Sequence, residues 1–215
     1  GEAAARVSLA ASGQSQAVAG HVSITASDSI SAFILPPIIR DLRAQEPGLT
    51  IDIIAANDIR DLQRREADIA IRHVRPDQPD LIAKRVRGMH AYLYAAASYL
   101  DRVGRPRSVE DLMQHEFIGF TSLDRFVAEL AKRNLPVSAD NVRVMTENGI
   151  VNWELVKQGL GIGPMMEAVA DLSPDLERVL PDGEPIDIPV WVTTHRELKT
   201  SRRIRVVFDM LVARL

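Results

Sequence analysis

The chain has 215 residues, 46% of them hydrophobic and 26% charged, with a formal net charge of -3 and no cysteine. This is the make-up of an ordinary globular protein, long enough for one large domain or two of about 100 residues each. It excludes disulfides, thiolate metal sites and a cysteine nucleophile, and its balance of charge gives no basic footprint for nucleic acid.

The first residue is Gly1 rather than Met, and residues 2 to 19 are rich in Ala and Ser, with Val7, Leu9 and Val18 as the larger apolar side chains. The segment reads as the end of a longer helix or a tail of a trimmed or processed chain. No signal-peptide pattern is visible, and no apolar stretch approaches the roughly 18 residues of a membrane span. After Gly20, His21 to Ala26 alternates as a strand does. Ser27, Asp28 and Ser29 are of the residue types that cap helices, and a helical apolar spacing runs from Ile30 to Leu42. Pro36 and Pro37 interrupt that spacing, which predicts a short first turn giving way to a main helix at its N-terminal positions, where proline costs little. Glu46-Pro47-Gly48 is a stop signal, and Leu49 to Ala55 is dense in β-branched residues and reads as a second strand.

Asn57 and Asp58 can cap a short helix through Arg65, and residues 67 to 72 make a third strand. Strand, helix, strand, helix, strand predicts a parallel sheet of the α/β class. Further strands are expected at Leu81 to Val86 and His90 to Ala95. Residues 116 to 133 and 142 to 163 then repeat the theme of a strand, a polar turn and a helix, the turns being Thr121-Ser122 and Thr146-Glu147-Asn148. A Pro/Gly-rich loop (180 to 189), a last strand (190 to 194) and an amphipathic helix from Ser201 to Leu215 close the chain.

The recurring unit is thus a strand running into a short polar turn that opens a helix. In open parallel sheets ligands bind beyond the carboxyl ends of the strands, where helix N-termini present free N–H groups. Any single turn of this kind is accounted for by capping alone, and it is the number of them that points to a site.

No constellation for covalent chemistry is present: no G-x-S-x-G elbow, Walker loop or H-E-x-x-H helix. Gly159-Leu160-Gly161-Ile162-Gly163 follows a helix and enters a strand, the reverse of a phosphate loop, and reads as a helix C-cap. The histidines at 21, 73, 90, 115 and 195 lack metal-ligand spacing. His73 stands out because it follows Arg72 at the end of a predicted strand. Lys199, Arg202, Arg203 and Arg205 interleave with Ile204, Val206 and Val207 as a solvated helix face would, and Trp153 and Trp191 read as core or domain-contact residues.

From about Gly20 to the C-terminus, the chain resembles the effector-binding domain of LysR-type transcriptional regulators. The resemblance rests on "GHVSITASDSISAFILPPIIRDLRAQEPGLTIDI", "ADIAIRH", "AASYLDRVGRPRSVEDLMQHEFIGF" and "ENGIVNWELVKQGLGIGPM", in that order and spacing. It implies an α/β fold like that of type 2 periplasmic binding proteins, with two α/β subdomains joined by two crossing strands and an effector in the cleft. The crossings are expected near Leu93 to Ala96 and Val190 to Thr194. That would give a first subdomain of 20 to 92 plus 193 to 215, a second of 93 to 192, and the end of a linker helix or tail at 1 to 19.

The resemblance further implies pairing of subunits, as a dimer or, in the full-length protein, a tetramer. The first helix of one subunit, here Pro37 to Gln45, would lie against the second subdomain of its partner. DNA would be bound through an N-terminal winged helix-turn-helix that precedes this chain, in the cytoplasm, with no membrane contact, cofactor or metal. Carried over by position, the effector site would comprise Ser27, Asp28, Ser29, Asn57, Asp58, Arg72 and His73, with Thr121, Ser122, Thr146, Glu147 and Asn148 of the second subdomain. Helix N-termini favour anions, yet Asp28, Asp58 and Glu147 share that site, so its net preference for anion or cation stays open. Two rivals remain: an exported solute-binding protein of the same fold, and an enzyme built on it, against which the missing nucleophile and base count.

Overall fold

In the computed structural model, the structure describes residues 18–57 and 67–215. The sequence-predicted helix after Asn57, including Asp58, and the segment before Val18 lie outside the described residues. The chain divides into two compact units, one running up to Arg87 and resuming at Val190–Leu215, the other spanning Gly88–Pro189.

The first unit is built on a five-stranded sheet of β1 (Ala19–Ala26), β2 (Gly48–Ala55), β3 (Ile69–Arg72), β4 (Leu81–Arg85) and the late strand Trp191–His195, in the order β2-β1-β3-late strand-β4. β1 pairs parallel with β2 from Ala19↔Gly48 to Ala26↔Ala55, and parallel with β3 at Ile24↔Ile69. The three strands whose order predicts a parallel sheet, β1, β2 and β3, do pair in parallel, while the late strand is antiparallel to both β3 and β4. Hydrophobic patterning carries no strand direction. The late strand enters this sheet on returning from the second unit, and it runs opposite to the strands laid down before.

On one face of the sheet Val22, Ile24, Ala26, Ile69, Ile71 and Val192 are buried. Two helices supply the matching side chains: α1 (Leu35–Gln45) through Leu35, Ile38 and Leu42, and the C-terminal helix Arg202–Arg214 through Ile204, Val207, Phe208 and Leu211. Burying such a side chain stabilises by about 1.5–3 kcal/mol each.

The prolines are accommodated in a particular way. Helical backbone runs from Asp28 without a gap, but Ile30–Ile34 form a π-helical turn in which Leu35 N–H reaches Ile30 O, five residues back. Pro36 and Pro37 then follow Leu35 as the second and third residues of α1, within its first turn. Neither proline has an N–H to give to the carbonyl four residues back, and its ring would collide with that carbonyl. One residue of extra winding moves those carbonyls aside. The predicted short turn is therefore a π-turn continuous with α1 rather than a separate element.

In the second unit β5 (Met89–Ala96) is central and antiparallel to its neighbours: β8 (Gly163–Met166) on one side, β9 (Leu176–Arg178) and β10 (Ile186–Ile188) on the other. β6 (Phe117–Phe120) and β7 (Val142–Thr146) pair in parallel, and Ile118 N–H donates to Ile162 O (2.9 Å), joining them to the segment entering β8. The late strand of the first unit is thus β11. All eight residues of β5 belong to the second unit, so the chain changes unit between Arg87 and Gly88 and between Pro189 and Val190, a few residues before the boundaries inferred from the resemblance. α2 (Ala97–Val103), α3 (Leu123–Ala131), α4 (Gly149–Lys157) and α5 (Glu167–Ala170) flank these strands, which makes the C-terminal helix α6. The core gathers Leu93, Ala95, Tyr99, Leu112, Phe117, Phe126 and Ile162.

The glycine-rich "GLGIG" ends α4 and packs closely. Gly159 has φ +72, and a Cβ at Gly161 would sit 2.7 Å from Glu116 O. Close backbone approach, not phosphate binding, explains these residues.

His115 is buried beside Tyr99. Glu116 N–H donates to the Tyr99 hydroxyl oxygen (2.9 Å), and the hydroxyl lies 3.3 Å from His115 Nδ1, in a hydrogen bond whose direction follows the tautomer of the ring. Burial pushes the His115 pKa down, with Asp111 partly opposing it. A histidine whose folded pKa lies below its unfolded value of about 6.5 stabilises fully above that pH. It loses its contribution as the pH falls below it. The urea midpoint should therefore drop from pH 7.5 to pH 5.5, and His115→Asn, which keeps a hydrogen-bonding amide beside the Tyr99 hydroxyl, should flatten that step. An equal drop in both proteins would assign the acid sensitivity elsewhere.

Candidate functional site

Because β2, β1 and β3 are parallel neighbours, their carboxyl ends finish on one edge of the first unit, and chain order reverses at β1. Such a reversal is where open α/β sheets hold ligands. Ser27, Asp28 and Ser29 follow β1, Asn57 follows β2, and Arg72 and His73 end β3.

Asp28 is only 6% exposed. Its Oδ1 accepts from Ser29 N–H (2.6 Å) and from the Ser29 hydroxyl (3.2 Å), and its Oδ2 accepts from Asn57 Nδ2 (2.8 Å). Asn57 Oδ1 in turn accepts from Asp28 N–H (3.1 Å). This reciprocal pair locks the turn after β1 to the turn after β2. It corrects one expectation: the N–H groups of Asp28 and Ser29 are not free for a ligand, since side chains of the turn itself engage them. Ser31 N–H is likewise taken by Ser27 O (2.9 Å).

Ser27 Oγ lies 3.5 Å from His73 Nε2. Arg72, 7% exposed, is held by two acceptors, donating from Nη2 to Thr25 Oγ1 (2.9 Å) and from Nη1 to Ile71 O (3.0 Å). Sequence reasoning passed over Thr25, although an alternating strand with a hydroxyl among its buried residues is a readable signal for a polar contact inside the sheet.

In the second unit β6 and β7 are parallel and end together, and Thr121 N–H donates to Thr146 O (3.1 Å). In the later turn Asn148 makes local contacts. Asn148 N–H donates to Thr146 Oγ1 (3.1 Å), while Asn148 Oδ1 caps α4 by accepting from Ile150 N–H and Val151 N–H, both at 3.0 Å. Glu147 is exposed. The earlier turn differs. Ser122 stands at the N-cap of α3 without a side-chain cap, and neither its hydroxyl nor that of Thr121 has a hydrogen-bond partner among the described residues. Thr121 also has φ +66, which a β-branched residue adopts only under strain.

The predicted residues therefore form two groups, one in each unit. Asp28, Asn57, Thr146 and Asn148 hold the turns in shape, whereas Ser27 in the first unit and Thr121 and Ser122 in the second present hydroxyls; the Ser29 hydroxyl donates to Asp28 and offers its oxygen. Asp58 lies outside the described residues. Among the described residues no group of three or more His, Asp or Glu is arranged to hold a metal ion, and no helix is long and apolar enough to cross a membrane.

Two α/β units, linked by a chain that crosses twice and ending their parallel strands in polar turns, define the periplasmic-binding-protein-like class of ligand-binding domains. The comparison with protein families then gives the particular family: the LysR substrate binding domain matches residues 15–215, and the chain belongs to it. The HTH-type transcriptional activator AaeR of Escherichia coli (strain K12) is 23% identical over 201 residues, which is 89% of this chain and 64% of that protein. The chain thus spans less than two thirds of that activator. Among solved structures, the CrgA regulatory domain from Neisseria meningitidis superposes with a TM-score of 0.80 at 20% identity, covering 91% of this chain and 98% of that one. Full-length AphB, a Vibrio cholerae virulence activator, gives 0.74 at 19% identity over 99% of this chain and 77% of its own. The chain is a regulatory domain of the LysR type, and the exported solute-binding alternative falls away.

Asp28 carries the most concrete expectation. Asp28→Ala leaves Ser29 N–H and the Asn57 amide without their acceptor, and leaving such groups unpaired in a buried turn costs about 1–3 kcal/mol. Urea denaturation should register that loss. An Asp28→Ala protein as stable as the parent would show that the turn is held by other contacts.

Proposed function

We propose that this chain is the sensing module of a transcriptional regulator, and that a small-molecule effector binds at the polar turns that end its parallel strands. The observation that carries the proposal is the convergence of Ser27, Ser29 and His73 on one sheet edge, where strand order reverses. The unengaged hydroxyls of Thr121 and Ser122 would supply the second unit's contribution. Binding would act through differential affinity for two conformations, with no covalent step. Asp28, Asn57, Thr146 and Asn148 act in this reading by positioning, and Arg72 and Glu147 by charge.

The family context supports the rest of the reading. A regulator of this type associates with itself, as a dimer or a tetramer in the full-length protein, with the Pro37 to Gln45 helix as one contact. It reaches DNA through an N-terminal winged helix-turn-helix and works in the cytoplasm without a cofactor, metal or enzymatic activity. The crystal structure of full-length CbnR with its target DNA, a neighbour at 16% identity, is an example of such an assembly in that protein.

A thermal-shift screen of metabolites tests the site, because a ligand that binds only the folded chain raises its midpoint. Ser29→Ala and Thr121→Ala should each weaken a hit by roughly 5- to 10-fold, the worth of one hydrogen bond of about 1–1.4 kcal/mol. Unchanged affinity in both variants would remove these turns from the site. A chain that stays monomeric at every micromolar concentration tested would count against self-association through this domain.

A further inference from the structure

One corner of the first unit carries charge that the turns do not explain. In the antiparallel ladder, Trp191 stands directly opposite Arg72 of β3 and directly opposite Arg85 of β4. Directly paired residues project to the same face with Cβ atoms about 4.5–5.5 Å apart, so an indole is flanked in register by two arginines. A third, Arg75 from the loop after β3, lies over the Trp191 ring at 5.7 Å from its centroid. Trp191 is half-buried, and Arg75 and Arg85 are exposed. Among the described residues neither Arg75 nor Arg85 is in an ion pair; the carboxylates that form ion pairs, Asp41, Asp80, Asp101, Asp187 and several glutamates, serve other partners.

Arg75 and Arg85 are like charges at one indole and repel each other unless something negative joins them, whereas the Arg72 guanidinium is turned away toward Thr25 of β1. The three also differ in freedom. Arg72 is buried and held by Thr25 and Ile71, so it fixes the corner, whereas Arg75 and Arg85 have exposed forks able to close on an oxyanion. A guanidinium matches a carboxylate or phosphate through two parallel N–H donors, and an aromatic face beside it excludes water. In the neighbouring turn the carboxylate of Asp28 is turned to Ser29 and Asn57, whose neutral donors hold it.

We infer that Arg75, Arg85 and Trp191 form an anion-recognising corner next to the end of β3, and that the effector is a small anion, carrying a carboxylate or another oxyanion group. This rests on the reading of the chain as an effector-binding domain and settles the sign of charge that its sequence left open.

Iodide is a probe that needs no knowledge of the effector. The chain has two tryptophans, and Trp153 is buried at 1% exposure, so collisional quenching by iodide reports on Trp191. At low salt, quenching by iodide should exceed that by caesium, and Arg75→Gln/Arg85→Gln should lower the iodide quenching constant by roughly threefold while leaving acrylamide quenching unchanged. Trp191→Phe should remove the quenchable fraction, which checks the assignment. In the thermal-shift screen, hits should be oxyanions whose affinity falls by about tenfold in the double variant, the worth of about 1.4 kcal/mol. Equal iodide quenching in parent and double variant overturns the inference. So does a neutral or cationic hit that Ser29→Ala weakens and the double variant does not, and that result would leave the effector-binding reading intact.

Discussion

Much of the first unit depends on one carboxylate. Asp28 is buried where β1 turns into helix, and its two oxygens take three donors from Ser29 and Asn57. Asn57 returns the contact to the Asp28 backbone, so two turns that are far apart in sequence become one rigid edge. A carboxylate in that position also complements the positive end of the helix that starts there. The edge presents Ser27 and Ser29 in a fixed arrangement because Asp28 is committed to holding it.

The same helix start explains how two prolines can stand in a helix that packs along its whole length. α1 must present Leu35, Ile38 and Leu42 to the sheet, and it must also begin at the end of β1. A regular α-helix cannot satisfy both with prolines at 36 and 37, because their carbonyl partners at 32 and 33 would be blocked. The π-turn over Ile30–Ile34 adds the needed winding, with Ile30 itself fully buried as an anchor. Local strain at the N-terminal end is thus offset by apolar packing further along the helix.

The alternation of β-branched strands with amphipathic helices made the α/β class legible, and the polar residues after each strand marked the edge where the proposed site lies. Three things were not legible, each for a physical reason. The direction of β11 was hidden because period-2 patterning is the same for parallel and antiparallel strands. The turn-holding contacts of Asp28 and Asn148 were hidden because a capping side chain and a binding side chain are chemically the same residue, and only geometry shows which donors are already taken. The neighbourhood of Trp191 was out of reach because Arg72 and Arg85 meet it only through pairing across more than a hundred residues of chain. By contrast, Gly159 and Gly161 were readable as a helix end because their order, helix before and strand after, excludes a phosphate loop.

Charge in the first unit can be followed through to a consequence. Counted from sequence, its turns carry Asp28 and Asp58 against Arg72 and His73, which is close to neutral. Counted from contacts, the Asp28 carboxylate faces inward to its own turn, where three neutral donors hold it. The guanidinium groups of Arg75 and Arg85 face solvent without a described carboxylate partner. An exposed charge acts over about 8–10 Å at moderate salt. Two sites with the same formal composition therefore offer a ligand different groups according to which side chains face solvent and which are turned inward, and a residue count does not carry that difference.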